Sequence, residues 1–169
     1  MKTKLLSLVA IFMIAIFSNN VMAQTTASAT NDALATIISP IAITQGVDLS
    51  FGDIIKGAGT VTVATNGDRT IDAAMESGTQ LGTISAATFI VTGEEGYTFD
   101  ITLPDDITVA LSLALADDMA VTGFVSSPSG NSTLAAGDNT ILVGATLNVA
   151  ATQNAGDYTG TFDITVAYN

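Results

Sequence analysis

The stretch that decides the fold class is the last one, GDYTGTFDITVAYN, which covers residues 156–169. Its odd positions are mostly Asp and Thr. A period of two places alternate side chains on opposite faces of a β-strand, so one face is apolar and the other polar. We therefore predict a strand over 157–168 that packs on a core with one face only. The apolar face comprises Gly156, Tyr158, Gly160, Phe162, Ile164, Val166 and Tyr168.

The rest of the chain repeats short β-type segments. Clusters of Gly, Pro, Asn and Asp occur roughly every ten residues, and the runs between them are rich in Val, Ile, Thr, Phe and Tyr. This spacing is typical of sandwiches and barrels. Because proline cannot donate to a ladder, Pro40 predicts an edge strand or a change of sheet at that residue. The predicted strands are 35–44, 47–54, 60–64, 87–92, 98–103, 107–113, 120–125, 140–149 and 157–168.

The N-terminus has the three parts of a secretory signal peptide. Lys2 and Lys4 precede an apolar run over residues 5–17, which is shorter than the roughly 20 residues of a membrane-spanning helix. A small-residue site follows at residues 21–23, so we expect cleavage after Ala23 and a mature chain that begins at Gln24. The expected organisation is a signal peptide over 1–23, an N-terminal extension over 24–34 and one β-sandwich domain over 35–169. We expect the protein to be secreted, at the cell surface or extracellular, with no membrane insertion after cleavage.

Charge and cysteine content exclude several classes of partner. Loss of Lys2 and Lys4 leaves Lys56 and Arg69 as the cations against 16 acids, a formal charge of −14. Nucleic acid and anionic membranes are poor partners for such a surface. The chain contains no Cys, so packing without disulfides must hold the fold together.

The residue inventory gives no support to catalysis. The chain lacks His, Cys and Trp, which removes Ser-His triads, thiol chemistry and the usual zinc sites. The adjacent acidic pairs 94–95, 105–106 and 117–118 fall in predicted turns, and neighbouring side chains of an extended chain point apart. The spacing of an EF-hand calcium loop is absent as well. We therefore expect no enzyme activity, no cofactor and no metal site.

Four segments together resemble a secreted bacterial family labelled a domain of unknown function, which is related to spore coat protein U and to chaperone–usher fimbrial (pilin) subunits. They are ATIISPIAIT at 35–44, LSFGDI at 49–54, a middle region with FIVTG at 89–93, GY at 96–97 and ITLP at 101–104, and GDYTGTF at 156–162. Fimbrial subunits end in an alternating strand with a penultimate Tyr, here Tyr168, and a Gly about fourteen residues from the end, here Gly156. From the residues alone, Gly156 and Gly160 are equally consistent with a bulge or a close backbone approach, and Tyr168 with an aromatic whose hydroxyl is in water.

The resemblance implies an immunoglobulin-like β-sandwich that lacks its last strand. In the fimbrial superfamily a periplasmic chaperone first fills the open groove, and the N-terminal extension of the next subunit fills it later by strand addition. The C-terminal strand would then line the acceptor groove. The candidate donor strand alternates small side chains and departs in this from the larger apolar residues of usual donors, and the chain cannot form the disulfide that many such subunits contain. The candidate donor residues are Ala27, Ala29, Ala33, Ala35 and Ile37.

Two functional hypotheses follow. The first is a structural subunit of a surface fibre or fimbria-like appendage, a homopolymer assembled by β-strand donation with a periplasmic chaperone and an outer-membrane usher as further partners. The alternative is a monomeric secreted β-sandwich that binds a surface glycan or a protein through its loops.

Overall fold

A computed structural model describes residues 26–72, 75, 81–105, 109–113, 117–136 and 139–169. The expected signal peptide and its cleavage site lie outside this range. All the regular elements in the described part are β-strands, so the predicted all-β class is confirmed. The strands are β1 (Ala42–Gln45), β2 (Ser50–Asp53), β3 (Gly59–Val63), β4 (Arg69–Ile71), β5 (Leu81–Ser85), β6 (Ala87–Thr92), β7 (Thr98–Thr102), β8 (Val109–Leu113), β9 (Asp117–Ser127), β10 (Asn131–Thr133), β11 (Asn139–Val149) and β12 (Thr165–Tyr168).

The larger layer is a seven-stranded antiparallel sheet built around β11. One edge of β11 pairs first with β6, through Ile141 and Phe89, and then with β3, through Leu147 and Val61. Its other edge pairs with β9, which pairs in turn with β8. The strands β1 and β4 extend the sheet beyond β6 and β3. Consequently β11 is the strand that holds this layer together.

The change of partner along β11 occurs at Gly144. A Cβ atom at this position would lie 2.3 Å from the carbonyl oxygen of Val63 and 2.9 Å from the carbonyl carbon of Ala64. The chain that leaves β3 therefore passes directly against the backbone of β11. Only a residue without a side chain permits this approach.

The second layer is divided into two parts. The first is the sheet β10-β7-β12, and the second is the pair β2-β5. Phe99 and Ile101 of β7 and Phe51 of β2 are buried together with Val61 and Val143 of the larger sheet. The two layers thus share one apolar core, and the fold is a β-sandwich.

The first predicted strand is much shorter than expected. Residues 35–41 have no regular secondary structure, and β1 begins at Ala42, two residues after Pro40. Among the strands that the structure describes, β1 pairs with β6 alone, so it is an edge strand there, which was one of the two alternatives for Pro40. The chain changes layer later, between Gln45 and Ser50, and this is where the single predicted strand over 47–54 begins.

The last predicted strand was also too long. In the described residues the ladder covers Thr165–Tyr168, which pairs with β7, and Thr159 forms an isolated bridge. The alternation of faces nevertheless extends further, since Tyr158, Phe162 and Ile164 are half-buried against the core while the odd positions from 157 to 169 are exposed. The sequence pattern reported the two faces correctly, but a ladder also requires a neighbouring strand.

Three short strands, β4, β5 and β10, were not predicted. In β4, Arg69 is buried although arginine is a surface residue in most strands. Along β5, glycine at position 82 interrupts the apolar pattern. The predicted strand 107–113 was confirmed as β8 from Val109 onward, and its first two residues lie outside the described part.

A separate segment precedes the sandwich in the sequence. Residues 26–36 have no regular secondary structure and are exposed. Residues 37–169 form one compact unit. In the described part of the chain no helix has the length and apolar composition needed to cross a membrane.

Candidate functional site

A groove opens between the two parts of the second layer. One wall is formed by residues from 45 to 56, which include β2, and the other wall by residues 153–162, which precede β12. The cavity between them has a volume of about 690 Å³. We call this cavity the groove. It lies between β2 and the segment that precedes β12.

The larger sheet forms the floor of the groove. Its apolar side chains come from β6, β9 and β11, so the three central strands of the sheet contribute. Phe89 and Val149 are partly buried and offer contact to apolar side chains of an inserted segment. The other four floor residues are already buried. The floor residues are Ala87, Phe89, Met119, Val121, Leu147 and Val149.

Phe162 determines the shape of one end of the groove. Its ring packs edge-on against Phe89, with centroids 6.1 Å apart, and at a tilt against Phe124, with centroids 5.1 Å apart. Phe89 and Phe124 belong to the larger sheet, whereas Phe162 belongs to the wall. These contacts hold the wall onto the sheet, and Phe162 remains half-buried because its other side faces the groove.

The other end of the second wall is fixed by a local hydrogen-bond cluster. The hydroxyl of Tyr158 donates to the carbonyl oxygen of Asn154 at 2.8 Å and accepts from Nε2 of Gln153 at 3.0 Å. Gln153 is buried, and its backbone N–H bonds to the carbonyl of Ala150. The turn after β11 is therefore tied to the wall by the side chain of Tyr158.

The first wall is held by an arginine that sequence reasoning did not single out. Arg69 of β4 is buried, and its Nη1 donates to the carbonyl oxygens of Phe51 at 2.7 Å and Asp53 at 3.1 Å. Its Nε is buried without a hydrogen-bond partner in the described residues. The larger sheet thus fixes the position of β2 through a charged side chain. One signal in the sequence pointed to the importance of Arg69, which is one of two cations in the expected mature chain.

Tyr168 has a structural role away from the groove. Its hydroxyl accepts from the backbone N–H of Glu94 at 2.7 Å and donates to the carbonyl oxygen of Ser39 at 2.8 Å. The N–H of Ser39 in turn donates to Oε2 of Glu94 at 3.0 Å, and this hydrogen bond holds the pKa of Glu94 below its usual value. The end of β12 is therefore bonded to the residues that lead into β1. The Tyr168 hydroxyl is thus bonded to the backbone on two sides, beyond the role of a rim aromatic alone.

The predicted assembly residues divide into two groups. Gly156, Tyr158, Gly160 and Phe162 line the groove. Ile164, Val166 and Tyr168 do not line it; their half-buried side chains pack against the core instead. The candidate donor residues Ala27, Ala29, Ala33, Ala35 and Ile37 lie in the exposed N-terminal segment, where Ile37 is 97% exposed.

The charged side chains of the groove are unevenly distributed. Asp48, Asp53 and Asp157 contribute carboxylates, and Lys56 contributes the single ammonium group. Among the described residues, no three acidic side chains come together in a way that would hold a metal ion.

Comparison with known proteins gives a family. No curated protein and no solved structure matches the chain. A family model described as a domain of unknown function matches residues 41–168, a span that includes both walls of the groove and leaves out the exposed N-terminal segment. The chain therefore belongs to the family described as domain of unknown function DUF4402.

Proposed function

We propose that this protein is a structural subunit of a surface fibre or fimbria-like appendage, assembled by β-strand donation between copies. The observation that supports this most is the groove between residues 45–56 and 153–162, which interrupts the second layer above an apolar floor. A strand inserted there would join β2 to the segment that precedes β12. The sandwich would then have two continuous layers.

The backbone of the second wall supports the proposal. The strand pairings of the described residues do not include positions 160–164, although this segment continues directly into β12. Strand addition uses such unpaired N–H and C=O groups for affinity, and it uses alternate side chains for specificity.

The N-terminal segment supplies a donor of matching character. In residues 27–37 the odd positions are Ala27, Ala29, Ala33, Ala35 and Ile37, interrupted by Asn31, so one face of an extended segment is small and mostly apolar. Small side chains suit a groove whose floor already holds large ones such as Phe89 and Met119. The proposed further partners are a periplasmic chaperone, which would occupy the groove before the donor segment does, and an outer-membrane usher.

The test is deletion of residues 25–32 from the precursor. We expect the truncated chain to fold with an unchanged thermal unfolding midpoint, because the described residues of this segment are exposed, and to form no boiling-resistant ladder in surface extracts. Normal ladders from the truncated chain would contradict donation through this segment.

A matched pair of substitutions refines the test. Ala29→Asp places a carboxylate on the face that enters the groove, whereas Ser28→Asp places the same charge on the opposite face. Assembly should be lost in the first variant and retained in the second. If the two variants behave alike, this segment does not enter the groove with its odd-numbered residues facing the floor.

The volume of the groove favours one alternative function. About 690 Å³ lies within the range of ligand sites, so the same cavity suits a monomeric secreted β-sandwich that binds a surface glycan or a protein through its loops, here those at 46–49 and 153–161. A single gel band and a monomeric column profile for the wild-type surface protein would support this alternative and exclude the fibre.

A further inference from the structure

We infer that the incoming segment belongs to a second copy of this chain and is oriented by an ion pair between its Asp32 and Lys56 of the groove. This inference rests on the proposed function and adds the direction and register of insertion. It is drawn from three observations: the charges of the groove, those of the segment, and the path of the walls.

Charge complementarity selects the two residues. Residues 24–37 contain one charged side chain, Asp32. Of the four charged side chains that line the groove, three are carboxylates and one is the ammonium of Lys56. Repulsion disfavours Asp32 near the carboxylates, so the lysine is its favourable position. Lys56 is exposed and accessible to an incoming chain.

The strand register shows which end of the groove Lys56 occupies. Gln45 pairs with Phe89, and Phe89 packs on Phe162, so these residues mark one end. Gly59 pairs with Val149, which places Lys56, three residues before Gly59, toward the other end. The first wall therefore runs from the Phe162 end to the Lys56 end, and the second wall runs in the opposite direction.

The length of the segment agrees with this placement. The second wall from Gly156 to Phe162 has seven residues, which span about 23 Å when extended. With Asp32 beside Lys56, residues 25–31 cover the same length toward Phe162. The inserted segment is then antiparallel to the second wall. This register narrows the proposed donor to Ala27 and Ala29, while Ala33, Ala35 and Ile37 lie in the stretch that connects the inserted segment to its own domain.

The test is a charge exchange in the full mature chain, with assembly followed by light scattering over a range of protein concentrations. Lys56→Glu should raise the concentration needed for assembly by about three- to tenfold, because an exposed attraction becomes a repulsion. Adding Asp32→Lys to it should return that concentration to within about twofold of the wild type, since the pair is restored in reverse.

A second double variant controls for net charge. Lys56→Glu with Glu95→Lys has the same net charge as the exchange, but Glu95 is exposed in the turn before β7 and does not line the groove. This variant should remain as impaired as Lys56→Glu alone. Equal recovery in both double variants would overturn the ion pair and leave net charge as the cause.

The remaining outcomes separate the two proposals. Wild-type assembly with no effect of Lys56→Glu would overturn the ion pair alone and leave strand donation in place. A wild-type protein that stays monomeric at every concentration would overturn both. Unchanged thermal unfolding of each variant, expected for exposed positions, confirms that assembly and not folding is measured.

Discussion

Tyr168 shows how a single side chain connects distant parts of the sequence. Its hydroxyl bonds to the backbone of Ser39 and Glu94, and its ring lies so close to Gly93 that a Cβ atom there would be 2.4 Å from the hydroxyl oxygen. Both ends of the sandwich domain are therefore fixed at this point. The penultimate position of Tyr168 has a structural explanation that does not depend on assembly.

Tyr168→Phe should lower the free energy of unfolding by about 1 to 2 kcal/mol, because two hydrogen bonds lose their common partner. Tyr97→Phe is the matched control. Tyr97 is 41% exposed and packs edge-on against Tyr168 with centroids 5.9 Å apart, so loss of its hydroxyl should cost little. Urea denaturation of both variants measures the difference, and equal losses would contradict the role of the Tyr168 hydroxyl.

Phe162→Ala should destabilise the domain by about 2 to 3 kcal/mol. This is less than the roughly 3 to 5 kcal/mol typical of a fully buried aromatic, because Phe162 is half-buried and faces the groove. The loss comes from its contacts with Phe89 and Phe124. Thr161→Ala, at an exposed position of the same segment, should change stability by less than about 0.5 kcal/mol. Thermal and urea unfolding compare the two, and a similar cost would mean that the faces are assigned wrongly.

At the scale of elements, the sequence predicted best the strands that are apolar and central. The bounds 87–92 for β6 were correct, and 140–149 for β11 began one residue late. Prediction failed where the side chains alternate as in a strand but the backbone does not pair with a neighbouring strand. Residues 157–164 alternate as a strand does, yet apart from an isolated bridge at Thr159 they have no ladder partner among the described residues, and partners depend on the whole fold.

The candidate site could be predicted only in part for the same reason. Alternation around Phe162 identified the second wall of the groove. The first wall depends on the chain changing layers between Gln45 and Ser50, and on Arg69 bonding to the backbone of β2. Neither feature has a local sequence signal. The change of layer depends on the topology of the whole fold, and the Arg69 hydrogen bond joins residues 18 positions apart.

Gly144→Ala tests the central role of β11. The new Cβ atom would lie 2.3 Å from the Val63 carbonyl oxygen, so the two backbones must separate. We expect a loss of about 3 kcal/mol or more. Gly123→Ala in the adjacent strand is the control: its φ of +61° is strained for alanine, but the nearest atom is 3.7 Å away, and the cost should be about 1 to 2 kcal/mol. Urea unfolding ranks the two variants, and the reverse order would show that β11 and the chain after β3 are not closely packed.

At the scale of the whole molecule, two opposing features determine its behaviour in solution. In the described residues, the groove places the partly buried Phe89 and Phe162 beside the segment 160–164, which has no strand pairing, and this favours association. The formal charge of −14 expected for the mature chain opposes the approach of a second copy. Association therefore depends on the distance over which the charges of one copy repel those of another copy.

Salt should accordingly promote assembly of the full mature chain. The screening length falls from about 30 Å at 0.01 M salt to about 8 Å at 0.15 M, so repulsion between whole copies weakens over this range. Salt weakens the Asp32–Lys56 attraction as well. This attraction is a single ion pair, however, whereas the repulsion comes from 16 acids in each copy. We expect the protein concentration needed for assembly to fall as sodium chloride rises from 0.01 to 0.15 M. Light scattering measures it, and sucrose at equal osmolality is the control for effects other than screening. Assembly that weakens steadily with salt would mean that local ion pairs, and not the net charge, dominate the contact between copies.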